Sequence, residues 1–303
     1  MEKGKGGKGM SSILSVAFLS GLLIAALRML PPLLLGATGE MFSERCGLTN
    51  IGLEGIMSVG AIMGFVASYF TQNPYLGMLA GIVSGLLVNM IYAFLTIQLN
   101  ADQVIVGNAM NILGMALASL VYTTVSKSQS GQMQSVIADN YFVLGISLAA
   151  VVLIWFYLYK TKSGLAFRAV GEYPRAAETL GINIQKKKYL ACCVNGILCG
   201  LAGAYLTNVY ITSYVGGIVS GRGYIALAAV IFGKWKPRGV LLACTFFAFL
   251  DALQLRLQVA DASIPYQFLQ MLPYLCTLLA LSFFMKPGSE PKANGKPYIR
   301  EAR

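Results

Sequence analysis

Apolar runs of about 20 residues recur along the whole chain, and short polar or proline-containing segments separate them. A run of this length crosses the hydrocarbon core of a bilayer as one α-helix, whereas barrel strands show shorter, alternating segments. The pattern therefore predicts an all-α, polytopic membrane helical bundle with about eight to nine transmembrane helices. The predicted spans are Ser12–Leu35, Leu48–Phe70, Tyr75–Leu99, Gln103–Val125, Phe142–Tyr159, Tyr189–Ile211, Gly217–Phe232, Val240–Val259 and Tyr266–Met285.

Small residues recur inside these spans at helical spacing. Such positions let two helix backbones approach closely, so they favour a tightly packed bundle. They are Gly77, Gly81, Gly85, Gly196, Gly200 and Gly203.

Charge is scarce and unevenly distributed. Hydrophobic residues make up 56% of the 303 residues and charged residues 12%, whereas soluble domains carry about 25% charged residues. The formal net charge is +11, but most Lys and Arg residues lie in the segments 1–10, 160–188, 234–238 and 286–303. Basic residues beside membrane spans mark the cytoplasmic side, so 160–188, 234–238 and the C-terminus are predicted to be cytoplasmic, and no nucleic-acid partner is expected.

The chain offers little chemistry for catalysis or metal binding. It has no His, and its six Cys residues lie mostly in apolar spans without metal-ligand spacing. The Gly/Lys-rich run at residues 4–9 does not match the phosphate-binding pattern G-x-x-x-x-G-K-[ST]. We therefore expect no metal, no cofactor and no enzymatic activity.

The chain divides into a basic N-terminal segment (1–11), a transmembrane domain (12–286) and a polar tail (287–303) predicted to be disordered and cytoplasmic.

Five predicted spans precede the basic loop at 160–188. If all five cross, the basic N-terminus lies outside, against the usual charge rule. Alternatively, one segment is re-entrant or broken, and 48–70 is the best candidate because its first turn, Thr49–Gly55, is polar and glycine-rich. The sequence leaves both possibilities open.

The loop at 160–188 contains its own predicted helix. Pro174 suits the first helical position and Gly181 suits the residue just past the end. A helix this short is not stable alone in water, so it must dock on something. A protein partner is favoured because Ala176 and Ala177 offer a low-profile face, because bulky apolar anchors for lipid are lacking, and because Arg168 and Arg175 can pair with carboxylates. The alternative is a helix lying on the lipid surface.

Several polar residues fall at apparent membrane depth. Glu54 is either a functional group or a partner of Arg45 or a helix N-terminus. Asp102 is expected to cap a helix start.

Five amides either contact a passing solute or bond across helices. These are Asn50, Asn108, Asn111, Asn195 and Asn208. Four tyrosines either form an interfacial belt or stack on a nucleobase. These are Tyr205, Tyr210, Tyr214 and Tyr224.

Four ordered stretches resemble one family. They are Ser163–Asn183, Glu44–Gly55 (ERCGLTNIGLEG), Asn100–Gly107 (NADQVIVG) and Gly221–Pro237 (GRGYIALAAVIFGKWKP). Together they resemble permeases of the ribose, simple-sugar and nucleoside branch of bacterial ABC importers. The NIGLEG and ADQV forms look most like the smaller permease subunit of nucleoside importers, although Cys46 departs from the usual small polar residue.

This resemblance implies a permease subunit of an ATP-driven importer of nucleosides, in particular purine nucleosides, in the bacterial inner membrane. The implied partners are an ABC ATPase subunit with two nucleotide-binding modules, a second homologous permease, a lipid-anchored substrate-binding protein, the small-molecule substrate and membrane lipid. The implied ATPase-coupling residues are Arg168, Gly171, Glu172, Pro174, Arg175, Ala176, Ala177 and Gly181.

Two alternatives stay open. A sugar or riboflavin permease of the same kind fits equally well, because the motifs are specific for the family and not for the substrate. An ion-coupled secondary transporter would need several ionisable groups at membrane depth, and only Glu54 and Asp251 are candidates.

Overall fold

The computed structural model describes residues 16–127, 135–260, 267–268, 271, 275–276 and 290–298. Within these residues the regular secondary structure is entirely helical. The helices are α1 (Val16–Glu44), α2 (Leu53–Thr71), α3 (Pro74–Ala93, extended by a π-turn at Phe94–Gln98), α4 (Gln103–Lys127), α5 (Asn140–Lys160), α6 (Lys162–Glu172), α7 (Pro174–Thr179), α8 (Ile184–Tyr205, extended by a π-turn at Leu206–Tyr210), α9 (Arg222–Phe232) and α10 (Pro237–Ala260).

Seven of the helices in the described part of the chain are long and apolar enough to cross a membrane: α1 to α5, α8 and α10. This confirms the predicted polytopic helical bundle. The predicted span at 266–285 lies largely outside the described residues. The predicted span at 217–232 is only half right, because α9 has 11 residues and the chain before it is irregular.

The break in the bundle is not where the sequence suggested. Residues 53–71 form one continuous helix, and the polar, glycine-rich turn lies before it, at 49–52. The interruption lies instead at the irregular stretch 211–221, and we call this stretch together with α9 the interrupted segment. The sequence signal at 49–55 was real, but it marks a buried turn between two helices, whose polar groups are satisfied by neighbouring helices.

Contacts along α1 show that it runs in the same direction as α5. At its C-terminal end, Arg45 donates to the hydroxyl of Tyr159, at the end of α5 next to the basic loop. Nearer the start of α1, the carbonyl of Arg28 accepts from Tyr205, whose hydroxyl also bonds to Asn140 at the start of α5. We call the end carrying residues 160–183 the loop side, and α1 and α5 both run towards it.

Glycines bring α2, α3 and α8 together, as the small-residue spacing predicts. A Cβ atom added to Gly200 would lie 2.2 Å from the carbonyl oxygen of Gly81, and one added to Gly60 would lie 2.6 Å from the carbonyl oxygen of Gly200. Real Cβ atoms do not approach so closely, so side chains at these positions would force the helices apart. At these glycines the backbones of α2, α3 and α8 pack directly against one another.

The tail is ordered over the part that the structure describes, which corrects the predicted disorder for 290–298. The backbone N–H of Ala293 donates to the carbonyl of Gly171 (2.9 Å), and Asn294 donates to the Glu44 carboxylate (3.3 Å). Tyr298 bonds to Glu178 on α7. The tail is polar and buries little apolar surface, which suggested disorder, but these hydrogen bonds hold it on the loop side.

Candidate coupling surface and solute pathway

The loop at 160–188 is built as two helices joined by a tight corner. Thr161 caps α6 by accepting from the backbone N–H of Gly164 at 2.9 Å. The next turns place Phe167 and Val170 in the core, where the Phe167 ring stacks on Phe42 with centroids 4.4 Å apart. The apolar face of α6 therefore attaches the loop to α1 and holds α7 in a defined position.

The second helix of the loop, α7, matches the predicted short helix. It begins at Pro174 and ends at Thr179. Gly181 comes soon after it with a φ of +77°, the left-handed conformation that glycine adopts without strain, and its N–H donates to the carbonyl of Glu178 at 2.9 Å. Ile182 then donates to the carbonyl of Ala177, which closes the turn before α8.

The predicted coupling residues do not all face outward. Arg175, Ala176 and Gly181 are exposed, while Pro174 and Glu172 are partly exposed. These five form an outer surface that a partner can reach.

Ala177 and Gly171 are buried, so Ala177 is not part of the exposed face that the sequence predicted. Ala177 is 1% exposed and lies on the inner side of α7. A Cβ atom at Gly171 would lie 2.3 Å from the carbonyl oxygen of Arg45. Arg168 lies between these cases: it is partly exposed, and its guanidinium sits 4.7 Å from the ring centre of Tyr159. These residues position the surface instead of presenting it.

Two bulky residues of this surface correct the expectation that bulky apolar anchors are lacking here. Leu180 is 79% exposed and Tyr173 is 56% exposed. They flank α7, one at each end, where an apolar side chain has no core to enter. The signal was present in the sequence, since a Leu and a Tyr border a helix too short to bury both.

A buried polar cluster connects the loop to the rest of the bundle. Arg45 donates through Nε to the carbonyl of Trp235 at 2.7 Å, and the Trp235 indole donates to the Glu44 carboxylate. Cys46 lies in the same turn, where burial raises the pKa of its thiol to about 12 and keeps it protonated. Gly171 packs on the Arg45 carbonyl, so the corner between α6 and α7 contacts the end of α1 directly and, through Arg45, the turn between α9 and α10.

A second buried network lies deeper, around Glu40. Its two carboxylate oxygens accept from the backbone N–H of Asn50 (2.7 Å) and the side-chain amide of Asn195 (2.8 Å). The amide of Asn50 donates to Asn89, which donates in turn to the carbonyl of Cys192 (2.6 Å). Glu40 and Asn89 were not predicted as site residues: Glu40 lies between two predicted spans and Asn89 inside one, and neither belongs to a recognised motif.

Four of the five amides are buried in helix–helix contacts, which is one of the two roles predicted for them. They are Asn50, Asn111, Asn195 and Asn208, each 0% exposed. Asn208 donates towards the carbonyls of Gly64 and Pro74, both at 3.4 Å. In this conformation a solute reaches none of the four.

Glu54 holds the start of α9, within the interrupted segment, by two hydrogen bonds. Its Oε1 accepts from the backbone N–H of Gly221 at 2.7 Å, and its Oε2 accepts from that of Gly223 at 2.8 Å. A carboxylate at a helix N-terminus satisfies two free donors and interacts favourably with the helix dipole. Of the two roles predicted for Glu54, the partner of a helix N-terminus is the one observed, with α9 as that helix. Asp102 caps α4 in the expected way, by accepting from Val104 and Ile105.

Asn111 and the remaining amide, Asn108, lie on α4 near α9. Asn111 accepts from the N–H of Gly55 (2.8 Å) and donates to the hydroxyl of Tyr224 (3.0 Å). Asn108, one turn earlier on α4, is exposed, and Tyr224 is 45% exposed. Among the predicted amides and tyrosines, Asn108 therefore presents an exposed amide and Tyr224 an exposed ring in this part of the bundle.

Comparisons with known proteins identify the family of this chain. Residues 22–281 match the family described as branched-chain amino acid transport system / permease component. The guanosine ABC transporter permease protein NupQ of Bacillus subtilis is 35% identical, over 95% of this chain and 99% of that protein.

Two further relatives match at similar levels. The nucleoside ABC transporter permease protein NupC of Lactococcus lactis subsp. cremoris is 33% identical, over 89% of this chain and 93% of that protein. A Haloferax volcanii protein named provisionally as a glucose ABC transporter permease, TsgC13, is 36% identical, over 88% of this chain and 92% of that protein.

Proposed function

The chain belongs to the branched-chain amino acid transport system / permease component family, and from this premise we propose that it is the permease subunit of an ATP-driven importer of nucleosides. The observation that carries the substrate class is the near full-length similarity to two proteins named for guanosine and nucleoside transport. We place it in the bacterial inner membrane with the loop side in the cytoplasm, where the basic residues of 160–188 and 234–238 belong.

The power source is an ABC ATPase subunit with two nucleotide-binding modules that docks on the outer surface of α7. The two exposed apolar residues at the ends of the helix, Tyr173 and Leu180, serve as anchors. Arg175 between them pairs with a carboxylate of the partner. A few large, well-placed residues dominate the affinity of most interfaces, and aromatic and Arg side chains are enriched among them.

Transport results from moving this loop against the bundle. The partner pushes α7 when its nucleotide-binding modules close. The push passes through Gly171 to Arg45 and Trp235, and hence to α1 and the α9–α10 turn. The irregular stretch of the interrupted segment, 211–221, is the part of the bundle that changes conformation during transport. Irregular backbone lacks the continuous hydrogen bonds of a helix, so it moves at a lower cost.

The solute path runs along the exposed edge formed by α4 and α9. Asn108 offers amide hydrogen bonds and Tyr224 offers a ring face for a nucleobase. A second homologous permease covers this edge from the other side, and a lipid-anchored substrate-binding protein delivers the solute opposite the loop side. ATP hydrolysis takes place on the ATPase, and this chain carries no catalytic step.

A sugar is the second candidate substrate, because one relative of similar identity is named for glucose. The test is uptake of radiolabelled guanosine in cells that express this chain with its neighbouring transport genes. Excess unlabelled adenosine or inosine should compete and excess glucose should not. Competition by glucose alone would favour the sugar.

An ion-coupled mechanism is distinguished in the same cells. Glu54, one of the two groups such a mechanism would need, already accepts two backbone hydrogen bonds. Uptake should fall with ATP depletion and persist when an ionophore collapses the ion gradient. The reverse pattern would reject the ATP-driven mechanism.

A further inference from the structure

Two cavities open on the loop side, between the coupling helices and the ordered tail. The larger, about 790 Å³, is lined by residues of α7 and the tail, including Arg175, Lys292 and Lys296. The smaller, about 520 Å³, lies between the end of α3 and the start of α8. Lys188 and Tyr298 line both cavities, so the two meet at these side chains.

Lys188 is unusual among the basic residues of the loop. It is 5% exposed, and across the part of the chain that the structure describes it makes no hydrogen bond and no ion pair. The titratable groups that act on it electrostatically are the thiols of Cys46 and Cys192. The Lys188 ammonium group keeps contact with the two cavities, but a largely buried ammonium without a counter-charge is costly, so such groups are nearly always paired. A ligand that supplies the negative charge accounts for Lys188.

The surroundings select an anion and not a second cation. Arg175, Lys188, Lys292 and Lys296 line the larger cavity together with one acidic residue, Glu172. Lys292 is held in place by its hydrogen bond to the Tyr173 hydroxyl and by its position 4.6 Å from the centre of that ring. Several ammonium groups and a guanidinium around one space fit a group with several acceptor oxygens and more than one negative charge.

The rest of the lining suits an organic body attached to that anion. Pro174, Ala176 and Pro297 give the larger cavity an apolar wall, and the rings of Tyr173 and Tyr298 stand beside it. We propose that these joined cavities bind a phosphate ester, with Lys188 as the buried anchor for the phosphate. The ester comes either from a soluble phosphorylated metabolite or from an anionic phospholipid headgroup, because the site lies where α8 enters the membrane.

Binding at this site is independent of the transported substrate, and it puts a ligand directly beneath the coupling surface. Tyr298 on the tail bonds to Glu178 on α7, and both side chains line the smaller cavity. A ligand there bridges α7, α8 and the tail. Its occupancy therefore stabilises the docking surface in the position observed.

The experiment uses the assembled importer, delipidated in detergent. Inorganic phosphate at constant ionic strength and phosphatidylglycerol in nanodiscs are titrated separately, with chloride and phosphatidylcholine as the respective controls. Saturable stabilisation by phosphate in solution identifies a soluble source, and selective retention of phosphatidylglycerol in native mass spectrometry identifies the lipid. Saturable binding of neither probe overturns the proposal.

Two matched variants locate the site. Lys188→Met should weaken binding of the effective probe about tenfold or more, because a charge-assisted contact is lost. Lys186→Met removes an exposed charge from the same helix and should bind like the wild type. Equal binding by Lys188→Met and the wild type would contradict the proposal.

Stability without ligand supplies an independent readout. In anion-free buffer, Lys188→Met should melt at or above the wild-type temperature, because the variant removes an uncompensated buried charge. Saturating ligand should then raise the melting temperature of the wild type and leave that of the variant unchanged. A large loss of stability in Lys188→Met before any ligand is added would overturn the proposal, because Lys188 would then have a partner within the protein.

Discussion

The role of a buried polar residue in this protein is set by the hydrogen-bond donors and acceptors that its neighbours leave unpaired. Glu54 is the clearest example. A lone carboxylate at membrane depth suggests a transport function. Its oxygens instead accept the free N–H groups of Gly221 and Gly223 at the start of α9. The sequence predicted a costly residue that needs a partner, and named a helix N-terminus among the possibilities. It gave no indication that the partner lies about 170 positions away, because that depends on how the helices pack.

Glu54→Gln tests this role. Gln replaces one acceptor oxygen with an N–H₂ group that faces a backbone donor, so one hydrogen bond is lost. We expect a loss of about 1–3 kcal/mol in the free energy of unfolding, measured by thermal or denaturant melting. Asp102→Asn, at an exposed helix cap, is the control and should cost less. A stable Glu54→Gln protein with abolished uptake would instead give Glu54 a direct part in transport.

Gly171 matters because of close contact and not because of backbone conformation. A Cβ atom there would lie 2.3 Å from the Arg45 carbonyl oxygen, so Gly171→Ala must push the corner between α6 and α7 away from α1. Overpacking of this kind costs about 1–3 kcal/mol. We expect Gly171→Ala to reduce ATP-coupled uptake while the ATPase still binds.

Gly145→Ala is the matched control, because nothing lies within 4 Å of a Cβ added at Gly145 on α5. It should transport like the wild type. Full uptake by Gly171→Ala would mean that the contact with Arg45 does not transmit movement.

At the scale of elements, α7 shows what the sequence predicted and what it could not. Pro174 and Gly181 marked the ends of the helix correctly, because their backbone preferences are local. Which side of a six-residue helix faces out depends on the helices beneath it, so Ala177 was wrongly placed on the surface and Leu180 was missed.

Substitutions on the two faces of α7 should therefore have different effects. Leu180→Asp and Arg175→Glu should leave the permease folded but reduce co-purification of the ATPase by about tenfold or more, as expected for truncating an interface anchor. Ala177→Asp buries a charge and should instead lower the yield of folded permease. Normal co-purification by the Leu180→Asp and Arg175→Glu double variant would exclude α7 as the docking surface.

The tail is the second element to test, through the hydrogen bond between the Ala293 N–H and the Gly171 carbonyl. Ala293→Pro removes the N–H that donates to the Gly171 carbonyl, so the tail should detach from the corner between α6 and α7. Pulsed thiol labelling should then modify Cys46, which the wild type buries and keeps protonated. Pro291→Ala, which removes no donor, should keep Cys46 protected. Slow labelling in both variants would show that the tail does not shield this turn.

At the scale of the whole molecule, hydrophobic length was sufficient to predict a polytopic bundle, because each span must satisfy its own backbone hydrogen bonds. Length did not reveal that residues 211–232 form an irregular stretch plus a short helix of 11 residues. The start of that helix is held by Glu54, which belongs to another helix. The pathway residues were the least predictable, since a buried amide and a solute-binding amide look alike in sequence, and Asn50 and Asn195 proved to hold helices together.

The most direct test of the central claim is uptake by the complete importer reconstituted in proteoliposomes, with labelled guanosine outside and ATP available to the loop side. We expect guanosine to accumulate only with hydrolysable ATP, and Leu180→Asp with Arg175→Glu to abolish accumulation. Guanosine uptake that continues without ATP, or ATP-driven uptake of glucose in place of guanosine, would contradict the account.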